Sequence, residues 1–504
     1  MRLKIASRKS DLARLQAYMV GDALQKAHPG LEIEYQFRAS LGDINLTDPL
    51  WKMPEKGVFT QDFLKDLLED KCDLVVHSWK DLPIEKHPDT EIAATLARAD
   101  SRDLLLVRKD LWEEVAKYRH FRVYSSSPRR EYNLTPFLKK HLPTPLEKVQ
   151  FLPVRGNVQT RVEKLFSSED VAGLVLAKAA LDRLLTTERE EFAQTRHQLQ
   201  KRLSECYWMV LPLSQNPTAA AQGALALEIH STRDDVRNLL KPIHQASNFS
   251  DVEKERQILS SYGGGCHQKI GVSVSHKSYG SVLSLRGLTD AGIVLKNYGL
   301  EQRELKKIPA SECWPSPQEK SQWFEREAVD TSQKETFGCG LWVARTQALP
   351  REWAVSFDQP VWTSGVETWA KLAERGVWVN GTADGLGEQE AMGLEALAPK
   401  LQWCKLTHDD AAGEDSSSKK VFGTYRLKES LRPPRLENKK YFYWMSGSAF
   451  KRALSLNPHI ASLNHACGPG NTYRQLKELL PQAQIDVFLS QREWYEALTG
   501  EAYE

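Results

Sequence analysis

Along the first half of the chain, short apolar runs end in small polar residues and alternate with stretches of helical periodicity. RLKIAS at the N-terminus and DLVVHS further on have this form, as do VAGLVLA and GALALEI, and each predicts a short buried strand. Between the first two, FTQDFLKDLLEDK places Phe59, Phe63, Leu64, Leu67 and Leu68 at helical spacing. Strands alternating with helices predict α/β layers with mostly parallel sheets, in which ligands gather at the C-terminal ends of strands. The charged stretch at 185–206 predicts a solvated helix, a boundary is expected near 231–250, and the polar, proline-bearing residues 303–337 read as a connection. Further on, VWTSGVETWAKL (361–372) and YWMSGSAFKRAL (443–454) echo one another as apolar strand, Ser-Gly, amphipathic helix. That echo predicts two similar α/β lobes.

A chain of 504 residues exceeds what a single core serves, so about three or four domains are expected. With 41% hydrophobic and 27% charged residues it reads as globular, and a formal charge of +2 points to no particular partner. Anion binding must therefore come from local arginine clusters. The opening MRLKIASRKSDLARLQ lacks the apolar core of a secretory signal, and no run reaches the roughly 18 apolar residues of a membrane span. Seven scattered cysteines without a CxxC pair suit a reducing, cytoplasmic setting, and argue against both a disulfide frame and a structural zinc site.

Three stretches carry candidate chemistry. VVHSWKDLP delivers His77, Ser78, Lys80 and Asp81 to a strand end, where a carboxylate beside a lysine is either a solvated pair or a group held to bind N–H donors or stabilise a cation. Arginines recur in one setting, a strand followed by a small or hydroxyl residue and a helix start: Arg8 with Ser10, Arg129 and Arg130 after Ser125, Ser126 and Ser127, Arg155, and Arg161; Arg183 lies on a further helix. Guanidinium forks at helix starts suit carboxylate or phosphate binding. A nucleic-acid track is disfavoured by the near-neutral charge and the lack of interleaved aromatics. Finally, SSYGGGCHQKIG presents Cys266 after three glycines, open to readings as metal ligand, nucleophile, attachment point or inert thiol; His267, adjacent, cannot readily chelate with it.

In order along the chain, RKSDLARLQ, GDINLTDPLWKMPEKGVF, DLVVHSWKDLP, SSSPRRE, VRGNVQTRVEKL, AQGALALE and ERQILSSYGGGCHQKIG resemble the hydroxymethylbilane synthase (porphobilinogen deaminase) family over roughly residues 1–300. The resemblance implies an α/β fold of two type II periplasmic-binding-protein-like lobes around a cleft, with a small α+β third domain. It implies domain 1 at 1–96 and 207–230, domain 2 at 97–206, and domain 3 at 231–305. It implies a dipyrromethane cofactor made from substrate and held through a thioether at Cys266, with Asp81 and Arg155 catalytic. Lys80, Ser78, Ser127, Arg129 and Arg130 would bind the cofactor, and Arg8, Ser10, Gln16, Phe59, Arg161 and Arg183 the substrate carboxylates and cleft. The implied partners are porphobilinogen and the growing linear polypyrrole, in a monomeric deaminase part with no metal, nucleic acid or membrane partner. The alternative is a non-catalytic two-lobed anion-binding protein with a C-terminal docking domain.

The sequence departs from the family pattern at Tyr124 and Pro128 before the paired arginines, at Ala221 where glycine is usual, and at Lys269 where proline is usual. After a linker at 306–338, the region 339–504 resembles uroporphyrinogen-III synthase through TYRL, YWMSGSAF and GPGNTYRQLKEL. That resemblance implies a second α/β unit with Ser446, Ser448, Asn471, Thr472 and Tyr473 as cleft residues, acting on the product of the first.

Overall fold

The computed structural model describes residues 2–39, 61–264, 268–301, 305–319, 322–331, 338–409 and 419–503. These divide into two compact units. The first comprises Met1–Lys139, Pro145–His276 and Ser284–Asn297; the second comprises Lys140–Thr144, Lys277–Leu283 and Tyr298–Glu504.

In the first unit, strands β1 (Arg2–Arg8), β2 (Glu32–Arg38), β3 (Leu74–Ser78) and β4 (Thr90–Ala94) form one sheet with β10 (Leu225–His230), in the order β2-β1-β3-β10-β4. Between β4 and β10 the chain builds β5 (Asp103–Arg108), β6 (His120–Tyr124), β7 (Lys148–Leu152), β8 (Gly173–Ala177) and β9 (Cys206–Leu211), ordered β7-β6-β8-β5-β9. The two sheets share one plan. Three strands run parallel, with β1 beside β2 and β3 in one, and β6 beside β7 and β8 in the other. The fourth strand, β10 or β5, enters antiparallel and carries an antiparallel fifth. The expectation of mostly parallel sheets is thus corrected to mixed sheets. Each lobe receives its fourth strand from a crossover, and a strand arriving from the other lobe runs against the β-α-β direction.

The predicted strands are buried for the reason their sequences suggest. β5, β8 and all but the last residue of β3 are buried throughout, as continuous apolar runs covered on both faces require. The helix Asp11–Ala27 begins where Ser10 accepts the Ala13 amide, and its Ala17, Val20 and Leu24 pack on Leu3, Ile5 and Leu74. Of the 185–206 stretch, Ala193–Ser204 is helical with only Leu199 buried, which matches a solvated helix.

The crossovers are joined by buried ions. Asp103, fully buried at the start of β5, accepts from Arg129 Nη2 (3.0 Å), Arg130 Nε (3.0 Å) and Nη2 (2.6 Å), Asn216 Nδ2 (2.9 Å) and Gln222 Nε2 (2.8 Å). A second carboxylate, Glu255 on the helix Ala246–Ser261, takes a two-pronged fork from Arg98 (2.7 and 2.9 Å) and the amides of Ala221 and Val274 (each 2.7 Å). Arg98 Nε in turn donates to the Gln222 carbonyl, linking the two carboxylates through the crossover backbone. Strands β11 (Gly271–Lys277), β12 (Gly280–Leu288) and β13 (Val294–Leu300) follow as a three-stranded sheet.

In the second unit, the stretch expected to be a linker contributes two strands, β14 (Cys313–Trp314) and β15 (Phe324–Ala328). β14 pairs with β21 (Tyr441–Trp444) in an all-parallel sheet continued by β22 (Asn464–Cys467) and β23 (Ile485–Val487). β15 pairs antiparallel with β20 (Lys419–Glu429) at the edge of a six-stranded sheet. That sheet's other strands are β19 (Trp403–His408), β16 (Gly340–Val343), β17 (Val361–Thr363) and β18 (Gly381–Thr382). The sequence echo is structural: β17 leads through Ser364-Gly365 into the helix Val366–Ala373, and β21 through Ser446 into the helix Gly447–Leu456. The argument against disulfides is corrected here, since Cys339 and Cys404 are bonded. β16 and β19 are neighbours in parallel register, with Leu341 beside Cys404, which brings the two sulfurs together across 65 residues of chain. Among the described residues no helix is long and apolar enough to cross a membrane.

Two stability predictions follow from the buried polar groups. Asp103→Asn keeps the shape of the carboxylate but strands two buried guanidiniums, and should cost about 3 kcal/mol or more in denaturant unfolding; an unchanged midpoint would remove Asp103 from this role. In the second unit, buried His465 accepts from Trp444 Nε1 (3.0 Å) and donates Nε2–H to the Ile460 carbonyl (2.9 Å). Burial holds its pKa down at about 4. Protonation therefore favours the unfolded chain, so stability is full above pH 6.5 and falls as the pH drops toward 4. The loss attributable to His465 is about 3 kcal/mol at roughly 1.4 kcal/mol per pKa unit. Tryptophan-monitored unfolding should show a shallower acid slope in His465→Gln than in the parent.

Candidate active site

The site is organised by the turn that ends β3. Trp79 is 1% exposed, packs with Ala221, Ala224, Ala226 and Val252, and donates its amide to Ala224 (3.1 Å). With this anchor fixed, the 3-10 turn Trp79–Asp81 holds Lys80 half-buried and Asp81 exposed. His77, on the same strand, is bound 2.8 Å from the Glu228 carboxylate, which also accepts Thr90 Oγ1 (2.7 Å), and so belongs to the sheet. Ser78 donates to buried Gln16 (3.1 Å), tying β3 to the first helix.

Lys80 Nζ donates to Gln222 Oε1 (3.1 Å), whose Nε2 donates to Asp103 and to the Ser101 carbonyl (2.7 Å). Burial pushes the Lys80 pKa down to about 8, against the pull of Asp81 and with a further push from the Arg130 charge. The second lobe supplies Arg161. In VRGNVQTRV, Gly156 takes φ +113°, where an added Cβ would strike Thr160 at 2.6 Å, and Asn157 caps the helix Val158–Phe166 by accepting the Thr160 amide. Arg161 Nε then donates to the Gly156 carbonyl (2.8 Å). Burial pushes its guanidinium down to about 10, with repulsion from Arg130, Arg155 and Arg8 against attraction from Asp81. Arg161 thus shares its positive field with Arg8, Arg130 and Arg155, Lys80 shares its own with Arg130 and Arg161, and the exposed Asp81 carboxylate acts on both Lys80 and Arg161.

Other expected residues are engaged locally. Ser10 caps the first helix, and Ser127 Oγ accepts the Arg130 amide (3.4 Å). Arg129 and Arg130 commit donors to Asp103, while Arg129 Nη1 also donates to Asn216 and Pro217, and Arg130 Nη1 to Val175. They therefore act on the site chiefly as buried charge. Arg183 Nη2 is held by the Gly223 carbonyl (2.7 Å), its pKa pushed down to about 10 by burial. In the second unit Ser446 caps its helix by accepting the Ala449 amide; Ser448 lies in that helix's first turn, and Asn471, Thr472 and Tyr473 open the helix Asn471–Leu479.

Phe59 and Cys266 lie outside the described residues. The flanks of Cys266 are described, and the helix and turn before it meet the segment Leu82–Ile84 that follows Asp81. Arg256 on the helix Ala246–Ser261 donates to the carbonyls of Leu82 and Pro83, immediately after Asp81. At the end of that helix Gly264 has φ +63°, and a Cβ there would meet Ile84 Cδ1 at 2.7 Å. Beyond the cysteine, buried Gln268 donates back to the Tyr262 carbonyl.

Two departures acquire meanings. Pro128 occupies the first position of the helix Pro128–His141, where a missing N–H removes no helical bond, and both following guanidiniums still reach Asp103. Ala221 has φ +68°, a left-handed conformation costing alanine about 1 kcal/mol, and is held by its amide on Glu255. The residues that reasoning from sequence passed over are Asp103, Gln222, Arg98 and Glu255. Their one signal was place: Asp103 stands directly before the apolar run Leu104–Val107, and Gln222 sits in AQGALALE.

Residues 3–238 match the family model described as porphobilinogen deaminase, dipyromethane cofactor binding domain. The porphobilinogen deaminase of Syntrophomonas wolfei is 34% identical over 286 residues, 57% of this chain and 84% of that protein. That of a Roseiflexus species is 35% identical over 289 residues, 57% and 86%. The probable porphobilinogen deaminase of Picrophilus torridus is 32% identical over 278 residues, 55% and 86%. Among solved structures, the effector binding domain of a BenM variant gives a TM-score of 0.25 at 10% identity, covering 53% of this chain and 97% of that one. With the relatives matched over most of their own length, the chain belongs to the porphobilinogen deaminase family.

Proposed function

We propose that the first unit is a hydroxymethylbilane synthase, joining four porphobilinogen molecules with loss of ammonia and then releasing the linear tetrapyrrole by hydrolysis, in a cytoplasmic, monomeric deaminase part. The observation that carries this reading is the exposed Asp81 carboxylate set among Arg8, Lys80, Arg130, Arg155 and Arg161. Each pyrrole ring brings two carboxylates, so a growing chain needs several cations at once, and the donor set here fits a dipyrromethane for the same reason. Held through a thioether at Cys266, that group would supply the free α-carbon to which the first ring is joined, each later ring being joined to the free α-carbon of the ring before it.

The protein's own residues do the rest. Arg8, Arg155 and Arg161 receive the acetate and propionate groups and set the ring against Asp81. The Asp81 carboxylate accepts the ring N–H and stabilises the positive charge that develops as ammonia leaves; this is the term a preorganised site supplies most effectively. Lys80, its pKa near 8, remains mostly cationic at neutral pH and holds a further carboxylate while Gln222 fixes its position. A simple anion-binding cleft would need neither Asp81 nor the cysteine in its glycine loop.

For the second unit we infer the following reaction, cyclisation of the linear product to uroporphyrinogen III. Its support is the repeated strand, Ser-Gly, helix arrangement in two α/β lobes, with Ser446, Ser448, Asn471, Thr472 and Tyr473 grouped at helix starts after parallel strands.

Two experiments test these readings. The purified protein should give the colour of a bound dipyrromethane with an acidic aldehyde reagent and turn over porphobilinogen. Cys266→Ser should lose the covalent pigment, while Asp81→Asn should keep it and lose turnover on the order of 100-fold or more; pigment retained by the serine variant would sink the attachment. For the second unit, product oxidised to porphyrin and separated by isomer should be type III with no synthase added, and pure type I would overturn that assignment.

A further inference from the structure

The helix Pro128–His141 turns one face toward Asp103. On its opposite face, Glu131 and Tyr132 line a cavity of about 540 Å³ together with Lys269, Arg286 and Lys296 from the domain that follows. This volume lies within the range of small-molecule sites. Three cations meet one acid in it. Neither Lys269 nor Lys296 has a hydrogen-bond or ion-pair partner among the described residues, and the Glu131 carboxylate has no ion pair there. Arg286, on β12, gives Nη1 to Gln215 Oε1 (2.9 Å) and the Ser214 carbonyl (3.5 Å), and among the described residues Nε and Nη2 have no hydrogen-bond acceptor. Gathering like charges around a cavity is unfavourable unless an anion joins them. The remaining walls, Pro136 and Leu295 with the Tyr132 ring, suit the faces of a flat ring.

A ligand matching these walls is a small aromatic carrying more than one carboxylate, with an ammonium for the Glu131 corner. Lys269 also stands three residues along the chain from Cys266. We propose that this cavity is a second binding site for one free pyrrole amino-dicarboxylate, with its carboxylates on Lys269, Arg286 and Lys296 and its aminomethyl group at Glu131. The identity of the ligand as the substrate class rests on the proposed deaminase reaction; the site itself does not. It gives Lys269, one of the departures from the family pattern, a role in holding substrate close to the attachment loop without taking part in the chemistry.

The test uses the full-length, pigment-bearing protein and a pyrrole bearing acetate and propionate but no aminomethyl group, which binds and cannot react. By calorimetry the parent should show two classes of site. Lys269→Ala/Lys296→Ala should lose one class, its affinity falling at least tenfold, while the other class and kcat for porphobilinogen change less than twofold. Both lysines are exposed and without partners among the described residues, so the double variant tests binding rather than folding. Arg286→Gln should weaken the same class. Identical isotherms for parent and double variant, or one class in the parent, would overturn the site. Porphobilinogen turnover by the parent is measured alongside: its failure would strike the deaminase reading, whereas turnover with identical isotherms would strike the second site alone.

Discussion

The paired arginines, the crossover and the lysine of the site all depend on one buried carboxylate. Burial alone would raise the Asp103 pKa, but Arg130 and Arg129 override it and hold the group well below the usual carboxylate range. Two guanidiniums and a carboxylate out of water carry a large desolvation cost, and it is offset only where the hydrogen bonds are complete. Here five N–H donors from Arg129, Arg130, Asn216 and Gln222 saturate both oxygens. Gln222 carries the constraint onward, since the amide that donates to Asp103 also receives Lys80. The position of a site lysine is therefore set by a strand of one lobe, a helix of the same lobe and the crossover returning to the other. The neighbouring Arg98–Glu255 pair extends that frame to the helix leading into the cysteine loop.

Much of this was legible in the sequence because the deciding features are local. Apolar runs such as LVVHS and GLVLA are strands since nothing else buries them, and Gly156 with Asn157 announces the helix that carries Arg161. What stayed hidden depends on pairing between distant segments. Asp103 in SRDLLLVR reads as an ordinary charged residue until β5 is seen entering the sheet against β8. The adjacent arginines read as open forks because burial is not written in a hydrophilic motif such as SSSPRRE. Strands as short as Cys313–Trp314 have no periodicity to detect, and the Cys339–Cys404 bond follows from the register of β16 on β19, which cysteine spacing does not encode.

The departures from the family pattern sort by the same physics. Pro128 sits where its missing donor does no harm, whereas Ala221 is strained and is retained against that strain by a buried hydrogen bond. A position that prefers glycine on conformational grounds can thus hold alanine where a carboxylate as well placed as Glu255 receives its amide, and where a core of Trp79 and Val252 covers the methyl group.

The interleaving of the lobes also orders events on the ribosome. The sheet β7-β6-β8-β5-β9 comes from one continuous stretch, Asp103–Leu211, and can close as soon as that stretch has emerged. The sheet begun earlier cannot, because β3 waits for Leu225–His230 to cover its side. The second unit repeats the arrangement, with β14 made long before its partner β21. A nascent chain thus carries open strand edges at two stages of synthesis, and the lobe encoded in the middle is the first able to fold.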